Sequence, residues 1–375
     1  MSKIKILKYE INSAQGNISQ TIKAIKTNNI KLFHKRASTI DGYIDVPYYL
    51  LSKEIKEEKN AILKGLRDVV AKTVVDLDDK QRSSTIIILG TSLADLNIVN
   101  NIQDSLSSQD KIYKSVKSSI DSYAKKLATE FGLNDFTVTI SSACTSSANA
   151  ILEARNFLLN DICEYVVVLG AEIFSKITND GFNSMRILSA QKQRPFDVNR
   201  DGLILGEGIG AVLLSKNGKS FWTLEGGFSN CNAVNITSVS EDGLEYVDVM
   251  NASLKNSKIK AQDITALKAH ATGTYTNDLS EINAISKVFD KDVVFTALKP
   301  YVGHTLGSSG VLELCIFIDA IENGFIPKTL NHSKSILKDY VPLLEHKECY
   351  EGVFMLNYFG FGGNNTSLII KKEKI

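Results

Sequence analysis

Thr137-Val138-Thr139-Ile140-Ser141-Ser142-Ala143-Cys144-Thr145-Ser146-Ser147-Ala148-Asn149-Ala150 is the stretch from which the fold can be read. Its first four residues are β-branched and predict a strand over 136–140. A cluster of small residues follows. Ala150, Ile151, Ala154, Phe157 and Leu158 then recur at helical spacing and predict a helix over 145–159. Cys144 falls at the join, at the positive end of that helix, a setting that lowers the pKa of a thiol and favours the thiolate.

The same alternation continues outward. Residues 85–90 predict a buried strand ending in glycine, 112–132 a helix, and 165–169 another strand. A glycine-punctuated stretch from Gly202 to Gly210 leads into the apolar run Ala211-Val212-Leu213-Leu214. Past residue 220 the theme restarts. A strand at 265–269 precedes a helix near 279–289, and a strand at 293–297 precedes a loop and an apolar helix over 310–322. A final strand pair brackets Gly360-Phe361-Gly362-Gly363. Such alternation predicts an α/β fold with a largely parallel sheet. The restart predicts two similar halves, 1–218 and 219–375, packed into one body because no low-complexity linker separates them.

Composition narrows the function classes. Lys plus Arg number 43 and Asp plus Glu 42, a net charge of +1 that argues against a strongly basic nucleic-acid binder. No apolar run approaches the roughly 20 residues that span a bilayer, and the first residues carry no signal-peptide core, so a cytoplasmic location is expected. Cys144, Cys163, Cys231, Cys315 and Cys349 are odd in number, widely spaced and without a Cys-x-x-Cys pair. Neither a disulfide framework nor a metal site follows from that pattern.

Two histidines share the setting of Cys144. His270 lies in Ala269-His270-Ala271-Thr272-Gly273-Thr274, with Asn277 or Asp278 as candidate cap of the next helix. His304 lies in Lys299-Pro300-Tyr301-Val302-Gly303-His304-Thr305. Each stands just beyond a predicted strand, at the carboxyl edge where α/β sheets form their sites. His34, His332, His346 and the other cysteines lack such a setting and read as structural.

Four blocks, taken together, resemble the β-ketoacyl synthases, or 3-oxoacyl-[acyl-carrier-protein] synthases, of the thiolase superfamily. They are Ser142-Ala143-Cys144-Thr145-Ser146-Ser147; Arg194-Pro195-Phe196-Asp197 with Arg200-Asp201-Gly202 and Gly206-Glu207-Gly208; His270-Ala271-Thr272-Gly273-Thr274 with Asn277, Asp278 and Glu281; and the His304 block with the terminal Asn357-Tyr358-Phe359-Gly360-Phe361-Gly362-Gly363-Asn364. The resemblance runs from about residue 85 to the end and is highly specific as a set.

The resemblance implies a thiolase-like fold, two pseudo-duplicated βαβαβαββ halves in a five-layer αβαβα body, usually dimeric. It implies decarboxylative Claisen condensation: an acyl chain is held on Cys144 as a thioester and attacked by the carbanion formed from malonyl on an acyl carrier protein. His270 and His304 would stabilise the enolate, and the pair marks the elongating Cys-His-His branch. The N–H groups of Cys144 and Phe361 would form the oxyanion hole, with the Phe361 ring as a gate. Thr272 and Thr274 would bind the pantetheine arm. Lys299 would pair with Glu281 and tune the histidines, a pair that reads equally as structural. No cofactor is implied beyond the 4'-phosphopantetheine that arrives on the carrier protein. Partners implied are that acidic carrier and a second subunit, in a homodimer or a heterodimer with a synthase-like chain. Lys53, Lys56 and Lys59 are candidates for a carrier-docking patch and read also as a solvated helix stripe.

The chain departs from the pattern at Ala271, where glycine is usual, and at Asn364, where threonine is usual. Its N-terminal third matches poorly and the chain is short for this branch. The acyl substrate therefore stays open among fatty acid, polyketide and aryl polyene chains. A non-catalytic subunit that shapes a partner's tunnel, and a hydrolase or transacylase on the same scaffold, are the other classes to test.

Overall fold

The computed structural model describes residues 3–51, 61–92, 120–231 and 239–374. Five strands build the first half: β1 (Ile4–Ser13), β2 (Thr85–Gly90), β3 (Thr137–Ile140), β4 (Tyr165–Glu172) and β5 (Gly208–Ser215). Five build the second: β6 (Trp222–Cys231), β7 (Ala266–Lys268), β8 (Phe295–Thr296), β9 (Gly352–Phe359) and β10 (Asn364–Lys372). Their spatial order is β3-β2-β4-β5-β1-β6-β10-β9-β7-β8, so each half repeats the other about the β1–β6 junction.

The pairings repeat as well. β2 runs parallel to β3 and β4, while β4–β5 and β5–β1 are antiparallel. β7 runs parallel to β8 and β9, while β9–β10 and β10–β6 are antiparallel. The sheet is therefore mixed and not largely parallel as the alternation predicts. The turn at 360–363 shows why: a connection that short joins only antiparallel neighbours, whereas a parallel crossover needs a dozen residues or more. The division expected between 218 and 219 falls in the turn between β5 and β6.

Side-chain alternation on each strand builds the layers. Ile86 and Ile88 of β2 join Val166, Val168, Val212 and Leu214 on the inner face. Ile87 and Leu89 point the other way, against Leu63, Leu66 and Val70 of helix α1 (Ala61–Thr73). In the second half Leu267, Met355 and Ile369 face outward onto helices α4 (Leu244–Ser257) and α5 (Tyr275–Val288). Between the two halves of the sheet lie α2 (Ser146–Leu159) and α6 (Ser309–Glu322). Strands buried on both faces read as unbroken apolar runs, as Thr-Ile-Ile-Ile-Leu-Gly and Tyr-Val-Val-Val-Leu do. A further helix, α3 (Lys176–Ser184), packs beside a hairpin of Phe33–Thr39 and Gly42–Tyr49.

The ends of the predicted elements shift slightly. The helix expected over 145–159 is α2, preceded by a 3₁₀ turn at Ala143–Thr145. The expected helix at 112–132 is seen as Ser122–Phe131, and the part before residue 120 lies outside the described residues. α5 begins at Tyr275, earlier than a cap at Asn277 or Asp278 would allow. Asp278 serves inside the helix instead, accepting from the N–H groups of Phe196 at 2.7 Å and Gly273 at 3.0 Å.

The first turns of α2 and α6 touch through backbone. A Cβ on Gly310 would lie 2.1 Å from the Ala148 nitrogen, and the N–H of Val311 donates to Ser147 Oγ at 3.1 Å. Gly310→Ala should force the helices apart and destabilise the fold by at least about 1–3 kcal/mol, the usual cost of overpacking. Urea denaturation checks this; an unchanged midpoint would show that the crossing has slack.

Candidate active site

Three strand-end loops meet at one place. Cys144 lies in the 3₁₀ turn between β3 and α2, with Ala143 before it at φ +52°. His270 follows β7. Its N–H and that of Ala271 donate, each at 2.7 Å, to the two oxygens of Glu281 on α5. His304 follows β8 and is held on both sides by backbone: its N–H donates to Ile204 O at 2.7 Å, and Gly206 N–H donates to His304 O at 3.0 Å. Gly303 is required for that approach, since it has φ +77° and a Cβ there would sit 2.7 Å from the Tyr49 ring. The result places Cys144 Sγ 3.1 Å from His304 Nε2 and sets the His270 and His304 rings edge to face with centroids 5.3 Å apart. All three side chains are buried at the end of a cavity of about 270 Å³.

Backbone strain accompanies the convergence. Ala143, Ala271 and Leu306 all lie in the left-handed region, with φ of +52°, +52° and +43°. Non-glycine residues there cost on the order of 1–3 kcal/mol and persist where the surroundings over-determine them. Ala271 thus takes up a backbone shape that glycine adopts more readily.

Lys299 does not pair with Glu281. Its Nζ donates to Glu313 Oε1 at 2.8 Å and to His270 O at 2.6 Å, and lies 3.3 Å from His270 Nδ1. Glu281 is turned toward backbone N–H groups, which satisfy both its oxygens. The acid that matters to the lysine is Glu313 of α6, which also pairs with the buried Lys268. A charged residue inside the otherwise apolar run Val311-Leu312-Glu313-Leu314-Cys315-Ile316 is the signal that points to it, because a buried charge needs a partner.

These contacts fix the roles open to each imidazole. An ammonium only donates, so His270 Nδ1 accepts and its Nε2 carries the proton. His304 is less constrained. Its Nδ1 lies 3.3 Å from Ser309 Oγ, which in turn lies 3.2 Å from Thr305 Oγ1, and a hydroxyl can donate or accept. His304 Nε2 can therefore accept from the thiol in one tautomer and donate in the other. Burial, and next the positive charge of Lys299, hold both imidazoles well below the usual 6.5.

The thiol departs from the expectation drawn from its helix. Burial pushes Cys144 up to about 11, against the lowering effect of the Phe361 N–H and of Lys299. Burial outweighs these lowering effects because the side chain is only 5% exposed. The resting pair is a neutral thiol beside a neutral imidazole.

The remaining predicted residues surround the cavity. The hydroxyls of Thr272 and Thr274 lie 2.9 Å apart and both residues line it. The Phe361 N–H acts on the sulfur, while its ring stacks on Phe182 of α3, centroids 5.6 Å apart. Asn364 Oδ1 accepts from Thr145 Oγ1 and from Asn149 Nδ2, tying the Phe361 loop to α2. Arg200 donates to the carbonyls of Asp197, Thr274 and Tyr275 and so braces the His270 loop. Phe182 and Arg186 also line the cavity, and neither was singled out by motif. Lys53, Lys56 and Lys59 lie outside the described residues. Among the described residues no helix is long and apolar enough to cross a membrane.

A buried cysteine with two neutral imidazoles, set between the halves of a duplicated five-layer body, places the chain in the thiolase-like class of folds. Comparison with known proteins agrees. The family description "Beta-ketoacyl synthase, N-terminal domain" matches residues 61–219, and "Beta-ketoacyl synthase, C-terminal domain" matches 223–333. A putative mitochondrial 3-oxoacyl-[acyl-carrier-protein] synthase of Schizosaccharomyces pombe is 28% identical over 80% of this chain and 77% of its own length. The tetracenomycin polyketide synthase ketoacyl synthase alpha subunit of Streptomyces glaucescens is 30% identical over 68% of this chain and 64% of its own. A ketosynthase from Xenorhabdus doucetiae, solved in complex with its chain length factor, superposes with a TM-score of 0.83 at 22% identity, covering 99% of this chain and 98% of that one. The chain belongs to the beta-ketoacyl synthase family.

The protonation states can be tested by pH. A histidine whose folded pKa lies below 6.5 binds its proton more readily when unfolded, so stability falls as pH drops below that value. Glu281, pushed up to about 7 by burial, contributes the opposite slope and is common to parent and variant. His304→Asn should therefore lose less stability than the parent between about pH 7.5 and about pH 5.5, read from urea midpoints. Equal losses would mean that His304 is not held neutral.

Proposed function

We propose that the chain is an elongating β-ketoacyl synthase, an acyltransferase that condenses an acyl thioester held on Cys144 with malonyl-acyl carrier protein. The observation that carries this reading is the 3.1 Å approach of Cys144 Sγ to His304 Nε2 with His270 beside it. Neutral imidazoles suit the work: each can present an N–H to a developing oxyanion without first losing a proton.

In acyl transfer, Sγ attacks the thioester carbon as its proton passes to His304 Nε2. The N–H groups of Cys144 and Phe361 stabilise the tetrahedral oxyanion, and the carrier thiol leaves with the proton. The acyl group then remains on Cys144. In the second half-reaction malonyl loses CO2 and the bonding pair enters an enolate. His270 Nε2–H and, in its other tautomer, His304 Nε2–H donate to the enolate oxygen. The buried pocket solvates a carboxylate poorly, which favours its departure. The enolate carbon attacks the acyl thioester, a carbon–carbon bond forms, and the Cys144 thiolate leaves and is reprotonated. Lys299 acts through His270, fixing its tautomer, and Glu313 fixes Lys299. Glu281 positions the His270 loop.

On this reading Thr272 and Thr274, which line the cavity, bind the pantetheine arm that arrives on the carrier, and the reaction calls on no cofactor of the chain's own. Arg186, exposed at the cavity's lining, offers a cation to an acidic carrier. The relatives' names include 3-oxoacyl-[acyl-carrier-protein] synthases and a polyketide ketoacyl synthase, and the substrate range of this reading is fatty acid, polyketide and aryl polyene chains. The reading includes a dimer, with a second copy or with a synthase-like partner as in the ketosynthase–chain length factor complex. A cytoplasmic location completes it.

Intact-mass analysis after incubation with acyl carrier should show an acyl adduct on the parent protein and none on Cys144→Ala, which should not elongate. Elongation by that variant, or a parent without adduct, would sink the reading; the latter would favour a non-catalytic subunit. His270→Ala should slow CO2 release from malonyl carrier by about two orders of magnitude, the range for loss of one oxyanion donor, and affect acyl transfer less. Equal slowing of both steps would remove His270 from the enolate role. An adduct without any CO2 release would point to a transacylase or hydrolase.

A further inference from the structure

Cys144 packs in an apolar cluster with Tyr48, Leu205 and Leu306, to which Phe174 and Phe182 contribute partly buried rings. These side chains fill the region behind the sulfur, and a long acyl chain on Cys144 would have to displace them to extend there. Phe182 and Phe361, stacked with an interplanar angle of 28°, stand where the cavity meets that region. For the chain to pass, the two rings must part. Phe361 rides on a loop of glycines. Phe182 rides on α3, and what holds α3 is therefore part of the gate.

The fastening is polar and concentrated on two residues. Asp180 of α3 accepts from the N–H and the hydroxyl of Ser38, both at 2.9 Å. Lys176 pairs with Asp180 and donates to Ser38 Oγ at 2.6 Å. Asn183 Nδ2 donates to Ser38 O at 2.9 Å, and Asn179 Nδ2 to Arg36 O at 3.2 Å. The hairpin that carries Ser38 also supplies Tyr48, whose ring meets Phe174 edge to face at 5.4 Å. That hairpin is anchored to the body by the parallel pairing of Tyr48 and Tyr49 with Leu205 and Gly206. One rigid unit thus presents part of that apolar cluster and one ring of the stacked pair.

We propose that the Ser38–Asp180 clasp makes the hairpin and α3 a second leaf of the gate, and that its stiffness sets the length of acyl chain accepted on Cys144. The inference rests on the proposed function. Ser38 and Asp180 are positioning residues, acting on the substrate through Phe182 and Tyr48.

The test is single-turnover acylation of the full-length protein by acyl carriers of graded chain length, read by intact mass. Ser38→Val, which keeps the N–H and loses the hydroxyl, and Asp180→Ala should both raise the ratio of long-chain to short-chain acylation rates by about five-fold, the size of one net hydrogen bond. Ser38→Thr keeps both donors and should retain the parent's ratio. If Asp180→Ala does not fold, Ser38→Val alone decides. Rates that fall together at every chain length, or a ratio that does not move, overturn the clasp and leave the proposed function standing. A parent that takes no acyl group at any length overturns both.

Discussion

Two helix ends meet backbone to backbone in the middle of this molecule, and the site is built on that contact. Gly310 at the start of α6 lies against the backbone of Ala148 at the start of α2. Cys144 stands just before one helix and His304 and Ser309 at the head of the other. A larger residue at 310 would press against the backbone of Ser147 and Ala148, just after the cysteine. The 3.1 Å separation between the sulfur and the imidazole rests on that packing together with the backbone hydrogen bonds that hold His304. Burial of the thiol and of both imidazoles favours their neutral forms.

Beneath the histidines, one carboxylate serves two lysines. Glu313 lies on α6 and reaches Lys268 at the end of β7 and Lys299 after β8, all fully buried. Such a set contributes little net stability relative to apolar residues, because desolvating three charges offsets most of their attraction. Its value lies in geometry. Lys299 uses its donors on Glu313 and the His270 carbonyl and points at His270 Nδ1, which leaves the other ring nitrogen as a fixed donor. Ser309 leaves His304 free to change tautomer. Two histidines that are alike in burial are thus unlike in the hydrogen bonds open to them.

Much of this could be read from residue types and spacing. Cys144, His270 and His304 each followed a β-branched or apolar run and preceded a helix, so their convergence at one sheet edge followed from the alternation itself. The α/β layering followed from the same alternation, and the five-layer arrangement from the resemblance. The partner of Lys299 did not follow, because Glu281 and Glu313 are both acids on nearby helices and only packing decides which faces the lysine. The direction of the Cys144 shift was misread for a related reason: a helix end acts locally, whereas burial belongs to the whole assembly of loops. Phe182 and the Ser38–Asp180 contact were out of reach. Those residues are 142 positions apart and carry no motif.

The junction of the halves has a mechanical consequence. β1 pairs with β5 of its own half and, at Ile4 and Lys5, with Leu224 and Thr223 of β6, so one strand is bonded into both halves of the sheet. A molecule stitched in this way cannot hinge between its halves without breaking backbone hydrogen bonds. Cys144 comes from one half and His270 and His304 from the other, and their spacing is thereby insulated from large motions. Whatever enters or leaves must be admitted by small parts at the rim, while the frame that aligns the reacting atoms stays still.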